Sequence, residues 1–173
     1  MECIEMKIQI ANLLDDSSVD GEGLRFTVFT QGCIKNPHCP HCHNPQTWDI
    51  NGGNSMDTED ILIQIKENPL LSGVTFSGGE PFDQPKPLVD LAKKVHALGL
   101  NVWSFSGWTL EELKSRNDDD INALLDNIDV LVDGRFVMEL RDLTLKFRGS
   151  KNQRVIDMNA TRESGHIVTL YDD

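Results

Sequence analysis

The sequence predicts an α/β fold in which parallel strands are joined by helical crossovers. Strand-like and helix-like segments alternate from about residue 24 to 133 with short connections, and parallel strands need crossovers of that kind. Val130, Leu131 and Val132 are apolar in succession, as in a strand covered on both faces. Three unusual segments follow strands directly: a cysteine-rich loop, Gly78-Gly79-Glu80 and Asp133-Gly134. Open α/β folds build their sites at such carboxyl ends.

The elements follow in order. Met6, Ile8 and Ile10 alternate with polar residues, as a half-buried strand does. Asp15 to Gly23 reads as a polar loop, and Leu24 to Gln31 as a strand with Leu24, Phe26 and Val28 on one face. The cysteine loop runs on to about Asn54. Asp57 is placed to cap a helix through Lys66 with Ile61, Leu62 and Ile65 as its apolar stripe, ended by Asn68-Pro69. Gly73 to Ser77 is a short strand. Leu88, Leu91, Ala92, Val95 and Leu98 fall at helical spacing, and Gly99 is placed to stop that helix. Asn101 to Ser106 predicts a strand, Thr109–Arg116 and Ile121–Asp126 predict helices, and Asp129–Asp133 another strand. Beyond Gly134 the pattern fades, with Arg154–Met158 and His166–Tyr171 expected as strands.

A chain of 173 residues suits a single domain, 1–173, that buries a core without disulfide staples. Sixteen Lys and Arg face twenty-eight Asp and Glu, a formal net charge of −12. A surface so acidic repels nucleic acid and anionic lipid, so neither is expected as a partner. No apolar run approaches the roughly 18–20 residues of a membrane span. Glu2, Glu5 and Lys7 interrupt the first ten residues, which lack the layout of a secretion signal, so a cytoplasmic location is expected. Three of the four cysteines lie within ten residues, a grouping that in a reducing compartment favours metal binding over disulfides.

Those three are Cys33, Cys39 and Cys42, with five residues between the first two and two between the last. Thiolates on a two-residue spacing reach adjacent corners of a metal site, and a third reaches another through a Pro-bent loop. A four-iron cluster held by three thiolates keeps one iron open, the mark of a catalytic centre. Spacing alone leaves other readings standing: a structural zinc completed by His38, His41 or His43, or a plain core or surface role. Cys3, thirty residues upstream, is a less favoured fourth ligand. Gly78-Gly79-Glu80-Pro81 is either a tight turn or a seat for a zwitterionic group, since glycine lets a ligand approach the backbone and Glu80 offers a carboxylate to an ammonium.

A cysteine triad after one strand and Gly-Gly-Glu after the next resembles the radical S-adenosylmethionine superfamily. Within it the chain looks like the family of activating proteins of anaerobic ribonucleoside-triphosphate reductase. The matching stretches include Cys39-Pro40-His41-Cys42-His43-Asn44-Pro45-Gln46-Thr47-Trp48, Trp103-Ser104-Phe105-Ser106-Gly107-Trp108-Thr109 and Arg148-Gly149-Ser150 to Asn152-Gln153-Arg154, over about residues 20–160. One departure is the five-residue gap after Cys33, where the family pattern has three; loops absorb such insertions at low cost.

The resemblance implies a partial (β/α) barrel with mostly parallel strands. It implies one 4Fe-4S cluster on Cys33, Cys39 and Cys42, and S-adenosylmethionine as second cofactor. That molecule is split to a 5′-deoxyadenosyl radical, which takes a hydrogen atom from a glycine of the large reductase subunit. An electron donor such as flavodoxin or ferredoxin is implied as a further partner. Gly78, Gly79 and Glu80 would hold the methionine amino end and His41 would face the adenine. Ser106 would touch ribose or carboxylate, and Asp133 would contact the ligand or an ion. Arg148, Asn152, Gln153 and Arg154 are candidates for partner or cofactor contacts, and Trp48, Trp103 and Trp108 for core or rim aromatics. Two other readings remain: a radical enzyme acting on another glycyl-radical protein or a small molecule, and a zinc-binding interaction module.

Overall fold

A computed structural model describes residues 6–32, 49 and 52–171. These residues form one eight-stranded sheet and five α-helices. The elements are β1 (Lys7–Ser17), β2 (Arg25–Thr30), β3 (Asn54–Asp57), α1 (Thr58–Lys66), β4 (Gly73–Gly78), α2 (Pro85–Ala97), β5 (Asn101–Phe105), α3 (Leu110–Ser115), α4 (Asp119–Asp126), β6 (Val130–Asp133), β7 (Arg154–Asp157), α5 (Met158–Ser164) and β8 (Thr169–Leu170). Spatial order is β3-β1-β2-β4-β5-β6-β7-β8. The central strands β2, β4, β5 and β6 are parallel, with helices in each crossover. Antiparallel strands flank them on both sides. The parallel character expected from the sequence is thus confined to the middle of the sheet.

Alternation along each strand divides the side chains between two faces. Phe26, Val28, Val74, Phe76, Val102 and Leu131 turn to one face and meet Ile61, Leu91, Leu113 and Leu124 of the helices. Trp103, Val130, Val132 and Val155 turn to the other, packed by Phe105, Phe147, Leu170 and Tyr171. The helix starts follow their caps. Asp57 accepts from the Glu59 amide, Asp118 from Asp120 and Ile121, and Thr109 forms a reciprocal capping box with Glu112.

Several elements differ from expectation. Asp15 to Ser17 belong to β1, whose register reaches Ser17 opposite Arg25; exposure leaves that end without an apolar pattern. β3 is a polar edge strand carrying the one apolar residue Met56, so its sequence gives no alternation. A short helix, α5, separates the two strands expected near the C-terminus. Asp157 caps it, Gly165 ends it in the left-handed conformation, and only Met158 and Thr161 are buried along it. One buried cation fixes the amino ends of the central strands. Arg25 is fully enclosed, donates to Thr75 Oγ1 (2.7 Å), Asn101 Oδ1 (2.7 Å) and the Val74 and Glu22 carbonyls, and lies over the Trp103 ring. Burial lowers its pKa to about 10.

Candidate functional site

Because β2, β4, β5 and β6 run parallel, Thr30, Gly78, Phe105 and Asp133 end on one edge of the sheet. The cysteine segment leaves from that edge. Cys33, Cys39, Cys42 and His41, like Cys3, Trp48, His38 and His43, lie outside the described residues. The residues on either side of the segment are described.

Gly78 and Gly79 press on the residues that lead into the segment. Gly78 has φ +100°, and a Cβ there would lie 2.4 Å from the Thr30 nitrogen; a Cβ on Gly79 would lie 2.2 Å from the Gly32 carbonyl oxygen. The Gly79 and Glu80 amides donate to the Thr30 and Gly32 carbonyls, both at 2.8 Å. The two glycines therefore lock β4 against the residue that precedes Cys33, and the chain's own backbone fills the space that side chains would take.

Three glutamines tie the segment's two ends together. The Gln84 Nε2 donates to the carbonyls of Gln9 (3.0 Å) and Gln31 (3.1 Å), while its Oε1 accepts from the Gln9 amide (2.8 Å). Gln31 Nε2 donates to the Asp49 carbonyl (2.8 Å) and Gln9 Nε2 to that of Gly52 (3.0 Å). Entry and exit of the cysteine segment are thus held by one set of amide hydrogen bonds running through β1 and the start of α2.

Glu80 points inward. Its side chain is 1% exposed. It accepts hydrogen bonds from the Gly107 amide (2.8 Å), the Ser106 hydroxyl (3.0 Å) and the Phe82 amide (3.2 Å). Burial pushes its carboxyl up to about 7, against the pull of those donors. Ser106 donates to Glu80 and accepts from the Trp108 amide, so it serves the turn after β5. Asp133 is fully buried and is occupied by the Leu110 amide (2.8 Å) and two nitrogens of Arg154 (2.6 and 3.1 Å). Arg154 also reaches Glu111, and the paired carboxylates hold its pKa above the ordinary arginine value.

On the face opposite the helices a cleft of about 400 Å³ opens beside Ser77, Phe105, Phe136, Phe147, Arg148 and Gln153, and Val19, Asp20 and Gly149 complete its lining. This size falls in the ordinary range for a small-molecule seat. Gln153 braces the wall by accepting from the Gly149 and Ser150 amides and donating to the Gly134 carbonyl. Arg148 donates to the Tyr171 and Gln153 carbonyls. Sequence reading singled out Arg148 and Gln153 but missed Ser77, Phe105, Phe136 and Phe147, which alternate as ordinary strand and loop residues. It also missed the three glutamines. Trp103 belongs to the core of the cleft face and Trp108 packs against the helix-side core under the Arg116 guanidinium. Asn152 donates to the Arg135 carbonyl.

Among the described residues no group of three His, Cys, Asp or Glu gathers as a metal site, and Cys33, Cys39 and Cys42 lie outside those residues. Their soft thiolates suit an iron–sulfide centre. Comparison with known proteins agrees. The model of a 4Fe-4S single cluster domain matches residues 19–156. The anaerobic ribonucleoside-triphosphate reductase-activating protein of Escherichia coli (strain K12) is 36% identical over 146 residues, covering 79% of this chain and 90% of that one. The chain belongs to this family of activating proteins. The same-named protein of Vibrio cholerae serotype O1 is 36% identical over 143 residues, 78% of this chain and 88% of its own. The pyruvate formate-lyase-activating enzyme of Clostridium pasteurianum is 41% identical over 89 residues, 49% of this chain and 37% of its own. The family match spans the glycine-locked strand ends, the cysteine segment and the cleft, and it covers β2 through β6 entirely.

Proposed function

We propose that this chain is an activase that splits S-adenosylmethionine reductively and leaves a glycyl radical on anaerobic ribonucleoside-triphosphate reductase. The carrying observation is the packing of Gly78 and Gly79 on the root of the cysteine segment, beside a cleft large enough for a nucleoside. In this reading the whole chain, with its core at about 20–160, is one domain whose sheet curves as a partial barrel around the cleft. It works in the cytoplasm, away from membrane and nucleic acid. No helix among the described residues is long and apolar enough to cross a membrane.

Cys33, Cys39 and Cys42 hold one 4Fe-4S cluster. When bound and reduced by a donor such as flavodoxin or ferredoxin, that cluster supplies the electron that breaks a carbon–sulfur bond of the sulfonium. The chain's own residues position and shield. The backbone at Gly78 and Gly79 presents polar groups to the methionine amino end. Glu80, held by Ser106 and the Gly107 amide, fixes that backbone from behind. Asp133 and Arg154 set the neighbouring strand ends. By the family resemblance His41 would face the adenine, and Phe105, Phe136 and Phe147 exclude water from the cleft.

The test is anaerobic reconstitution, iron and sulfide counting, and electron spin resonance on candidate glycyl-radical proteins. A glycyl signal on the reductase, and none on pyruvate formate-lyase, is the expected result. A signal on the lyase alone moves the substrate to that class. A colourless protein with one tight zinc overturns the reading.

A further inference from the structure

Twenty residues separate β6 from β7, a long connection for a domain of this size. Hydrogen bonds within it and to its base tie it together. The Lys151 amide donates to the Leu140 carbonyl (2.9 Å) and the Asp142 amide to that of Gly149 (3.1 Å). Gln153 ties its base to Gly134. Phe136, Phe147, Arg148, Gly149 and Gln153 of this excursion wall the cleft, so the excursion borders it and forms what is called its rim below.

That excursion combines exposed apolar side chains with basic ones. Leu143 is 84% exposed, and Leu140 and Met138 nearby are 41% and 38% exposed. Three large apolar side chains within six residues form a patch that the fold leaves uncovered. Residues 134–153 also carry five Lys and Arg against two acids, which leaves eleven basic against twenty-six acidic residues elsewhere. The chain therefore presents a strong charge asymmetry with its positive end at the mouth of the cleft.

We propose that this rim docks an acidic, partly apolar face of the reductase, the face surrounding the glycine that gives up its hydrogen atom. The inference rests on the function proposed above. A polypeptide that brings a glycine to the cleft along this wall meets the excursion. An acidic partner is repelled by the remaining surface and attracted here, so charge orients the encounter and the leucines seal it. A preformed rim also lowers the ordering cost of association.

The experiment compares the reconstituted wild type with R141E/K151E and with Leu143→Ala. Dithionite is the reductant, so no protein donor takes part. Affinity for the reductase is measured at low and high salt, beside 5′-deoxyadenosine formed without the reductase. Wild-type affinity is expected to fall as salt rises. The charge-reversal pair is expected to bind at least tenfold more weakly at low salt and to lose the salt dependence, and Leu143→Ala to bind several-fold more weakly. All three are expected to form 5′-deoxyadenosine alike. Unchanged binding in both variants overturns the docking assignment. So does a defect seen only when flavodoxin replaces dithionite, which gives the rim to the electron donor. Wild type that forms no 5′-deoxyadenosine, or that binds the reductase without radicalising it, fails the function proposed above instead.

Discussion

Replacing Glu80 by Gln changes the pH dependence of folding in a way that does not involve the cluster. The Glu80 carboxyl is buried and its pKa raised from 4.5 to about 7, chiefly by desolvation. A group raised on folding contributes stability that is fully present below its unfolded pKa and lost as pH climbs through its folded pKa. Between pH 5.5 and 8.5 that loss comes to about 2 kcal/mol, at about 1.4 kcal/mol per pKa unit. Gln keeps one acceptor for the Gly107 amide and cannot ionise, but it turns a donor toward the Phe82 amide. The variant is therefore the less stable protein at pH 5.5, and the gap narrows by about 2 kcal/mol toward pH 8.5. Urea unfolding of the metal-free protein at both pH values measures this, and the range stays above the sequence pI of 4.7. Other titrating groups are common to both proteins and cancel in the difference. A gap that stays constant across the range would refute the account of a desolvated carboxyl.

Gln84→Ala removes three hydrogen bonds from the clamp on the cysteine segment, and each contributes about 1 kcal/mol. Iron extraction by a chelator should accelerate about tenfold or more, read by loss of visible absorbance, while uniform retention kinetics would remove Gln84 from the positioning role. Gly79→Ala sets a Cβ 2.2 Å from a backbone oxygen, so either β4 or Gly32 must move. A loss of about 2 kcal/mol or more in unfolding free energy, with reduced iron loading, is expected. Arg25→Ala strands the Asn101 side chain and two carbonyls at the closed end of the sheet. It should cost about 3–5 kcal/mol in denaturant unfolding, and Arg25→Lys should recover only part because a single ammonium cannot reach the same fork of acceptors.

The parallel centre was legible in the sequence because β6 is an unbroken apolar run, β2 alternates with an apolar face, and the crossover helices carry clear stripes. Val130-Leu131-Val132 and the Leu88-to-Val95 stripe sit where their patterns place them. The edges were not legible. β3 is polar and gains its pairing from β1, and α5 is too short to show a period. At the site, the sequence marked the segments and left the directions of side chains open. Glu80 was expected to face an ammonium, yet the local turn sends its carboxylate to Ser106 and Gly107. Asp133 likewise turns toward Arg154 and the start of α3. The glutamine clamp joins residues 53 and 75 positions apart, a distance over which no local pattern carries a signal.

The most direct test is the yield of 5′-deoxyadenosine from the reduced, iron-loaded protein supplied with S-adenosylmethionine, compared with single Cys→Ala variants at 33, 39 and 42. Turnover in the wild type and its disappearance in all three variants is the predicted outcome. Continued nucleoside release from any one variant contradicts a centre built on three thiolates with an open iron.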